Sequence, residues 1–357
     1  MLTYCTNIHP GESWADVQQA LFENVPRVRA ALRSAQPFPL GIWLSGRAAR
    51  EIEQSGSQAF VDWMRETGCF VQSLNGFPYG AFHGVRVKEQ AYLPDWRDPE
   101  RRAHSERLAR ILAGWLPEGA RGVISTVPIG FREQGDWSAA RDNYVGALES
   151  LDELAQRTGK QITLALEAEP ACMLETASEV ARFFEELRLP AALRAHSGAC
   201  FDCCHHAVQF ESPAQSLKLL AEAGVQVAQA HVTCALRVPG GELRRIERFS
   251  EPTYLHQTVG RRGDGSLVRF TDLPAALAAD ARDVEEWRVH FHVPVFAPKL
   301  GDCDTTQPQL VEMLQALPRE TPLVVETYTF GVLPPELQAP SVAQSVAREL
   351  AWVSAQR

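Results

Sequence analysis

The chain lacks the features that would place it in a membrane, on a nucleic acid or outside the cell. No apolar run approaches the length of a membrane span, and the first residues do not show a basic segment followed by an apolar one, as a signal peptide would. The formal net charge of −9 argues against a phosphate-backbone partner. Eight cysteines in 357 residues are too sparse for a disulfide scaffold. We therefore expect a reduced, cytoplasmic protein with no membrane span and no nucleic-acid partner.

The glycine-rich fingerprint of a dinucleotide-binding fold is also missing after the first predicted strand. Its absence weakens the case for an open, doubly wound sheet. Strand and helix patterns instead alternate about eight times, and the strands are almost continuously apolar. That pattern is typical of a parallel sheet covered by helices. Eight such units in one chain favour an α/β fold closed into a (β/α)8 TIM barrel.

The predicted strands cover 1–9, 39–44, 69–74, 122–129, 161–167, 198–202, 225–233, 287–296 and 322–325. The predicted helices cover 13–33, 48–67, 98–116, 137–157, 176–187, 213–223, 304–317 and 341–353. Glycine-rich turns and two hairpin-like segments interrupt this rhythm between 237 and 286. We expect residues 1–357 to form a single TIM-barrel domain, with 237–286 as an insertion after the seventh strand. One strand is surplus: either 287–296 belongs to the insertion, or the strand assignment slips there.

Four of the apolar strands end in a residue that can bind a cation. These residues are Glu167, Asp202, His231 and Glu326. Because the carboxyl ends of barrel strands meet around one cavity, the four side chains are predicted to converge there. Two glutamates, one aspartate and one histidine make a mostly oxygen site that suits a divalent metal ion such as Mn, Mg, Co or Zn.

The same cavity suggests an acid–base role for two of these carboxylates. Glu167 and Glu326 could lie on opposite sides of a bound sugar. One carboxylate would then take a proton from the carbon next to a carbonyl group, and the other would deliver one. A metal ion would polarise the substrate oxygens.

Further candidates come from strand parity and loop position. Glu169 lies two residues after Glu167, so both side chains point to the same side of the strand and compete for the inward position. His205 follows Asp202 by three residues. His292 shares its parity with His290, and both are read as extra ligands, substrate contacts or structural residues. Loop-mouth positions add three more candidates. The residues predicted to bind substrate are Glu169, His205, His292, His9, Asn75 and His83.

The sequence resembles the xylose isomerase-like TIM barrels, a broad group of sugar isomerases and epimerases that also includes endonuclease IV-type repair enzymes. The resemblance rests on the Leu-Ala-Leu-Glu167 strand, the Asp202-x-x-His205 pair, the strand ending at His231 and the Val-Val-Glu326 strand. It implies that the two Glu, the Asp and the His bind metal, that both Glu act on the substrate, and that His205 contacts the substrate.

A narrower resemblance, to the Ebo-cluster proteins called EboE, rests on three segments at 4–14, 75–80 and 290–294. Those proteins are described as metabolite-traffic proteins with a sugar-isomerase-like barrel. Two departures from the broader family stand out. No Asp or Asn follows His231 where sugar isomerases usually carry one, and 237–286 has no counterpart in the minimal barrel.

The predicted function is that of a metal-dependent isomerase or epimerase of a small polyhydroxylated carbonyl compound, sugar-like or cyclitol-like. One alternative is a barrel that binds and transfers a metabolite without converting it. A weaker alternative is an endonuclease IV-like phosphodiesterase, which the net negative charge of the chain disfavours. The expected partner is a small-molecule substrate, and a homodimer is left open.

Overall fold

The computed structural model describes residues 1–34, 37–132, 136–335 and 338–357. The strands in these ranges are β1 (Leu2–Tyr4), β2 (Phe38–Trp43), β3 (Cys69–Asn75), β4 (Arg121–Thr126), β5 (Gln161–Glu167), β6 (Ser197–Asp202), β7 (Val227–Val232), β8 (Cys234–Pro239), β9 (Thr258–Arg262), β10 (Leu267–Phe270), β11 (Val284–Val293), β12 (Lys299–Leu300), β13 (Cys303–Thr305) and β14 (Leu323–Val325). The α-helices are α1 (Trp14–Leu32), α2 (Gly46–Ser55), α3 (Gln58–Thr67), α4 (Pro99–Trp115), α5 (Ser138–Thr158), α6 (Ala177–Leu187), α7 (Ala191–Arg194), α8 (Cys203–Val208), α9 (Pro213–Glu222), α10 (Leu273–Ala278), α11 (Gln307–Ala316) and α12 (Val342–Ala355).

Eight parallel strands form a nearly closed barrel, in the order β1-β14-β7-β6-β5-β4-β3-β2. The two outermost strands of this order meet at a single parallel bridge between Cys5 and Gly41. Glycine suits this contact because a side-chain carbon at position 41 would lie 3.1 Å from the carbonyl oxygen of Tyr4. The predicted (β/α)8 TIM barrel is therefore confirmed.

The helices pack around the outside of the barrel and begin where the sequence provides a cap. The Ser13 side chain accepts a hydrogen bond from the backbone N–H of Asp16 at the start of α1, and Asp16 returns the contact. The predicted helix over 48–67 is in fact two helices, α2 and α3. They separate at Gly56, whose φ of +76° cannot continue a right-handed helix. None of the helices in the described ranges has the length and apolar character needed to cross a bilayer.

A second, antiparallel sheet lies between β7 and α11 in the chain, in the order β10-β9-β11-β8-β13-β12. The surplus segment 287–296 lies largely on β11, a central strand of this sheet, so it does not belong to the barrel. The strands of the second sheet run from Cys234 to Thr305 and so extend beyond the predicted insertion on both sides. The division into one domain with an insertion at 237–286 stays a prediction.

The second sheet carries two histidines to the barrel. His290 and His292 lie on β11 where its pairing with β8 shifts register, between Val289 and Val293. Such irregularities bend a strand and redirect its side chains, often beside functional sites. In this stretch the backbone N–H of His290 donates to the carbonyl oxygen of Gln257, 2.9 Å away.

A buried acid joins the last helix to the segment that follows β14. Glu349 on α12 is fully buried, and its carboxylate accepts hydrogen bonds from the Thr327 hydroxyl at 2.5 Å and the Val295 N–H at 3.4 Å. Burial raises the pKa of Glu349 to about 7, and the hydrogen bonds from Thr327 and Val295 only partly oppose that rise. The carboxyl group is thus held protonated up to near neutral pH.

We expect Glu349→Gln to remove a pH dependence of the free energy of unfolding. Because the folded-state pKa lies above the unfolded value, the folded chain binds the extra proton between about pH 4.5 and 7. The contribution of protonated Glu349 to the free energy of unfolding is complete below pH 4.5 and is lost as the pH rises to 7. The variant should therefore be more stable than the unmodified chain at pH 8, by about 3 kcal/mol. Urea unfolding at pH 5 and pH 8 measures this.

The exposed Glu185 on α6 provides the matched control. Glu185→Gln should unfold with the pH dependence of the unmodified chain. An unchanged pH dependence in Glu349→Gln would contradict the role assigned to this buried acid.

Candidate metal centre

Four strand ends bring their polar side chains together at one rim of the barrel. Glu167 ends β5, Asp202 ends β6, His231 lies on β7, and Glu326 directly follows β14. Asp202 pairs with His231 across neighbouring strands, which aligns those two strand ends. Each of the four residues offers a ligand atom within 4.8 Å of those of the other three.

His231 lies at the centre of this group. Its Nδ1 is 3.0 Å from Glu167 Oε1, 3.0 Å from Glu326 Oε2 and 3.8 Å from Asp202 Oδ2. All four side chains are at most 4% exposed. The two glutamates therefore approach the imidazole from different strands inside a site that is closed to bulk water.

Asp202 and Glu167 each leave one carboxylate oxygen without a hydrogen-bond partner among the described residues. Asp202 is the N-cap of α8, and its Oδ1 accepts the backbone N–H of His205 at 2.9 Å. Its Oδ2 has no partner, and neither does Glu167 Oε2. Buried oxygens of this kind are costly unless something satisfies them. The donor set and its two open oxygens fit a divalent cation.

The electrostatics of the group lead to the same conclusion. Burial raises the pKa of Glu167, and burial together with the Glu167 charge raises the pKa of Asp202 well above its ordinary value. Burial acts to lower the pKa of His231, but Cys200, Glu167 and the other nearby acids outweigh it and hold this pKa well above its usual range. Without a cation, the group must hold protons to limit its negative charge. A divalent cation can replace those protons.

Two asparagines fix Glu326. The side-chain N–H groups of Asn7 and Asn75 both donate to Glu326 Oε1, each over 2.8 Å. Burial acts to raise the pKa of Glu326, but His231 outweighs burial and the pKa falls to about 2. Asn75 was predicted to contact substrate, and here it holds a candidate ligand. Asn7 was not predicted.

The positions of Asn7 and His9 have a common cause. The first strand ends at Tyr4, earlier than predicted, and a 3-10 turn over Thr6–Ile8 follows it. This turn brings Asn7 to the rim, whereas His9 lies outside the central cavity with its Nε2 3.3 Å from the Tyr4 hydroxyl. His9 and His83 line a separate surface depression. The structure therefore does not bring these two predicted residues to the metal group.

A second group, of three histidines and one glutamate, lies beside the first. Its members are Glu169, His205, His290 and His292. His205 Nε2 is 3.4 Å from Glu169 Oε2, and the Nε2 atoms of His290 and His292 are 2.9 Å apart. Glu169 Oε1 accepts a hydrogen bond from the Tyr92 hydroxyl at 2.7 Å, and burial raises the pKa of Glu169 to about 8. Glu167 and Glu169 therefore both face the cavity, but they belong to different groups.

The two glutamates of the first group and all four residues of the second line one cavity of about 60 Å³. One water needs roughly 10–15 Å³ of such space, so the cavity as it stands holds only a few water-sized atoms. Three aromatic rings, those of Phe82, Tyr254 and Tyr328, lie beside it with each pair of ring centres 5.1 Å apart. A sugar-sized ligand can therefore enter only if the segment that covers the cavity moves.

The cover, residues 76–98 between β3 and α4, is attached to the region of the second sheet. The backbone N–H groups of Val87 and Lys88 donate to the carbonyl oxygen of Thr253, over 2.8 and 2.9 Å. Lys88 Nζ forms an ion pair with Asp272 Oδ2 at 2.7 Å. Lys88 also has a left-handed backbone, with φ of +37°, which a residue with a side chain rarely adopts.

Several polar residues around the cavity were not predicted from the sequence. Gln229 Nε2 lies 3.0 Å from His231 Nε2, on the side away from the acids. Gln257 Nε2 donates to Glu169 Oε1 over 3.1 Å. Gln229 could have been found, because it precedes His231 by two residues and so shares its side of β7. Gln257 and Tyr92 lie in irregular segments, where no periodicity indicates which way a side chain points.

No protein-family model and no curated protein matches the chain. Several solved structures share its fold across nearly the whole length. A xylose isomerase domain protein from Planctomyces limnophilus has 15% identity and a TM-score of 0.54, covering 100% of this chain and 95% of the other. The IOLI protein, whose structure has a bound zinc atom, has 12% identity and a TM-score of 0.53, covering 99% and 96%. The 3-keto-D-glucoside 4-epimerase from E. coli has 16% identity and a TM-score of 0.50, covering 99% and 98%.

At these identities the similarity establishes the fold alone. The chain shares its barrel fold with a xylose isomerase domain protein, which agrees with the fold that the broader resemblance implied. The comparisons give no support to the narrower resemblance to the Ebo-cluster proteins.

We expect Glu326→Gln to weaken retention of a divalent metal without unfolding the chain. The amide keeps the shape of the side chain but loses the negative charge that faces His231. The affinity for manganese or zinc should fall by at least about tenfold, the lower end of what is lost when a supporting partner of a ligand is removed. Metal content after dialysis against a weak chelator, measured by mass spectrometry, provides the check.

Glu175 supplies a matched control, since it is a buried carboxylate outside the cavity that accepts the backbone N–H of Ala171. Glu175→Gln should retain metal as the unmodified chain does. Equal metal retention in Glu326→Gln and Glu175→Gln, with both variants folded by circular dichroism, would rule out Glu326 as a ligand.

Proposed function

We propose that the protein is a metal-dependent isomerase or epimerase of a small polyhydroxylated carbonyl compound, sugar-like or cyclitol-like. The observation that carries this proposal is the pair Glu167 and Glu326, which approach one imidazole from different strands in an enclosed cavity. Solved proteins with this fold include one named as a sugar epimerase and one named as a xylose isomerase domain protein. The fold supports the proposal, but the two carboxylates provide its chemistry.

Glu167, Asp202, His231 and Glu326 would hold the metal, which could be Mn, Mg, Co or Zn. When bound, such an ion polarises the carbonyl and hydroxyl oxygens of a substrate and offsets the negative charge that develops on them. The structure of the similarly folded IOLI protein has a zinc atom. The two carboxylate oxygens without partners support the same four ligands here.

The two glutamates are suited to opposite halves of a proton transfer. The N–H donors of Asn7 and Asn75 favour the ionised form of Glu326, so this carboxylate is available to accept a proton. It would take the proton from the carbon next to the carbonyl, and the electron pair of that C–H bond would pass into an enediolate. Glu167, which approaches the same imidazole from another strand, would deliver the returned proton. Return to the other face of the same carbon gives an epimer. Return to the neighbouring carbon, with the hydroxyl proton passing from one oxygen of the enediolate to the other, gives an isomer.

The carrier alternative has one observation in its favour. Residues of the cover form one side of the cavity, as a protein that carries a metabolite would require. The narrower Ebo-cluster resemblance, which stays a prediction, would also favour a carrier. A carrier needs no pair of proton-transferring carboxylates, however, and the isomerase proposal explains why Glu167 and Glu326 are both present.

The phosphodiesterase alternative is weaker. The extra histidines would suit a multi-metal centre, but a net charge of −9 opposes a nucleic-acid partner. The cover also blocks access by a polymer to the four ligands. A small molecule therefore remains the proposed partner, and the homodimer stays a prediction.

Proton exchange tests the proposal directly. Dialysed protein reloaded with manganese or zinc should catalyse the exchange of carbon-bound hydrogen for deuterium in at least one of a panel of ketopentoses, ketohexoses and inososes in D2O. Proton NMR follows the exchange. Glu167→Gln and Glu326→Gln should each reduce the rate by about 100-fold or more, in the range contributed by a positioned acid or base.

Glu175→Gln again serves as the control and should exchange at the rate of the unmodified chain. A panel compound that binds in calorimetry and shows no exchange in any metal-loaded sample would favour the carrier over the isomerase.

Opening of the cover can be tested through Lys88. Lys88→Met removes the ion pair to Asp272, while Asp272 Oδ1 still accepts the backbone N–H groups of His256 and Leu273. Losing one charge-assisted hydrogen bond costs about 1.5 kcal/mol, which corresponds to roughly a tenfold change in the population of open cover. The rate at which EDTA removes bound metal should rise by about that factor.

The exposed Lys218, which pairs with Glu222 on α9, is the control residue. Lys218→Met should release metal at the original rate. Equal release rates for both variants would show that the ion pair of Lys88 does not hold the cover closed.

A further inference from the structure

We propose that the cavity contains a second cation site, formed by the imidazoles of His205, His290 and His292 and the carboxylate of Glu169. None of these residues belongs to the four assigned to the first metal, and all four are buried. Imidazole nitrogen is a preferred donor for divalent transition metals such as zinc. The proposal rests on the hydrogen bonds of these side chains and does not depend on the isomerase function.

The tautomers of two histidines follow from their partners. The Nδ1 of His205 lies 2.8 Å from the carbonyl oxygen of Ala168, and the Nδ1 of His292 lies 2.9 Å from the carbonyl oxygen of Glu326. A backbone carbonyl oxygen can only accept, so each Nδ1 must carry the proton and donate it. A neutral imidazole has one N–H, which leaves a lone pair on the Nε2 of both rings.

His290 is fixed in the same tautomer through Gln257. Its Nδ1 lies 2.7 Å from Gln257 Oε1. The orientation of this amide is determined because Gln257 Nε2 is 3.0 Å from the carbonyl oxygen of Pro170 and 3.1 Å from Glu169 Oε1, both acceptors. The amide oxygen therefore faces His290, whose Nδ1 donates to it. The Nε2 of His290 also presents a lone pair.

With these tautomers, hydrogen-bond acceptors of neighbouring side chains face each other. The Nε2 atoms of His290 and His292 are 2.9 Å apart, and with both protons on Nδ1 neither nitrogen can donate to the other. The Nε2 of His205 faces Glu169 Oε2 at 3.4 Å, where a proton on the buried carboxyl group would satisfy both atoms. A cation among these atoms would serve both contacts at once, whereas without a cation the contact between His290 and His292 needs an added proton.

The spacing of three of the four donor atoms suits a metal, and His292 adjoins them through His290. Glu169, His205 and His290 offer ligand atoms that all lie within 4.8 Å of one another. Ligand atoms around tetrahedral zinc are separated by roughly 3.3 Å, close to the distances of 2.9 and 3.4 Å found here. Ligand histidines in metal sites typically donate their other N–H to a carbonyl or carboxylate oxygen. All three histidines already do so.

Zinc stoichiometry of the full chain tests the proposal, with Zn²⁺ alone as the probe. After equilibrium dialysis, the unmodified chain should bind two zinc ions. His290→Gln and Glu326→Gln should each bind one, because each removes a ligand from a different site. The control His196→Gln should bind two, since His196 is a buried histidine that bonds the carbonyl oxygen of Ile162.

A second measurement does not rely on the variants being folded. Crystals of the unmodified chain soaked in zinc should show two anomalous peaks at the zinc edge, one among the first four ligands and one among the histidines. A single zinc ion per unmodified chain, a single peak, or two zinc ions retained by folded His290→Gln would overturn the second site and leave only a shared proton.

These outcomes are separable from the isomerase proposal. Two bound zinc ions without proton exchange on the panel would overturn the isomerase and support the second site. Proton exchange with only one bound metal ion would support the isomerase and overturn the second site.

Discussion

The structure depends on the burial of three carboxylates and an imidazole at one point inside the barrel. Asp202 is completely buried, and the other members of the group are nearly so. Ionised carboxylates taken out of water cost several kcal/mol each unless they are paired. Local strand and helix propensities do not stabilise such a cluster, because each residue comes from a different strand. The barrel provides the rigid frame that holds the group, and cations or protons provide the charge that lets it persist.

The second sheet is what distinguishes this barrel from a minimal one. Barrel enzymes usually build their sites from loops at the carboxyl ends of the strands. Here a strand of a separate sheet, β11, delivers His290 and His292 to that rim, and the irregular pairing of β11 with β8 frees this stretch from a regular ladder. A strand positions side chains more rigidly than a loop does. The histidine group therefore has the pre-organisation expected of ligands rather than of incidental lining residues.

The sequence allowed the barrel and the convergence of the four strand-end residues to be predicted, because the carboxyl ends of barrel strands meet around one cavity. It did not allow the supporting residues to be predicted. Asn7 reaches Glu326 only because β1 ends early, and Gln257 reaches Glu169 from a segment without periodicity. The same early end of β1 leaves His9 outside the central cavity. The fold can be predicted from the alternation of strand and helix patterns. The partners of each candidate ligand depend on tertiary contacts, which no local sequence pattern indicates.

The cover and the buried charges depend on each other. Exclusion of water strengthens every electrostatic interaction within the cavity, but a substrate can reach these groups only if the cover opens. Backbone hydrogen bonds to Thr253 and the ion pair between Lys88 and Asp272 attach it, together with a hydrogen bond from the Tyr254 hydroxyl to the carbonyl oxygen of Phe82 and the burial of its aromatic side chains. Each hydrogen bond contributes only about 1 kcal/mol net, so losing the ion pair of Lys88 shifts the balance between closed and open cover without detaching the whole segment. The contacts that keep water away from the buried charges therefore also determine how readily a substrate can enter.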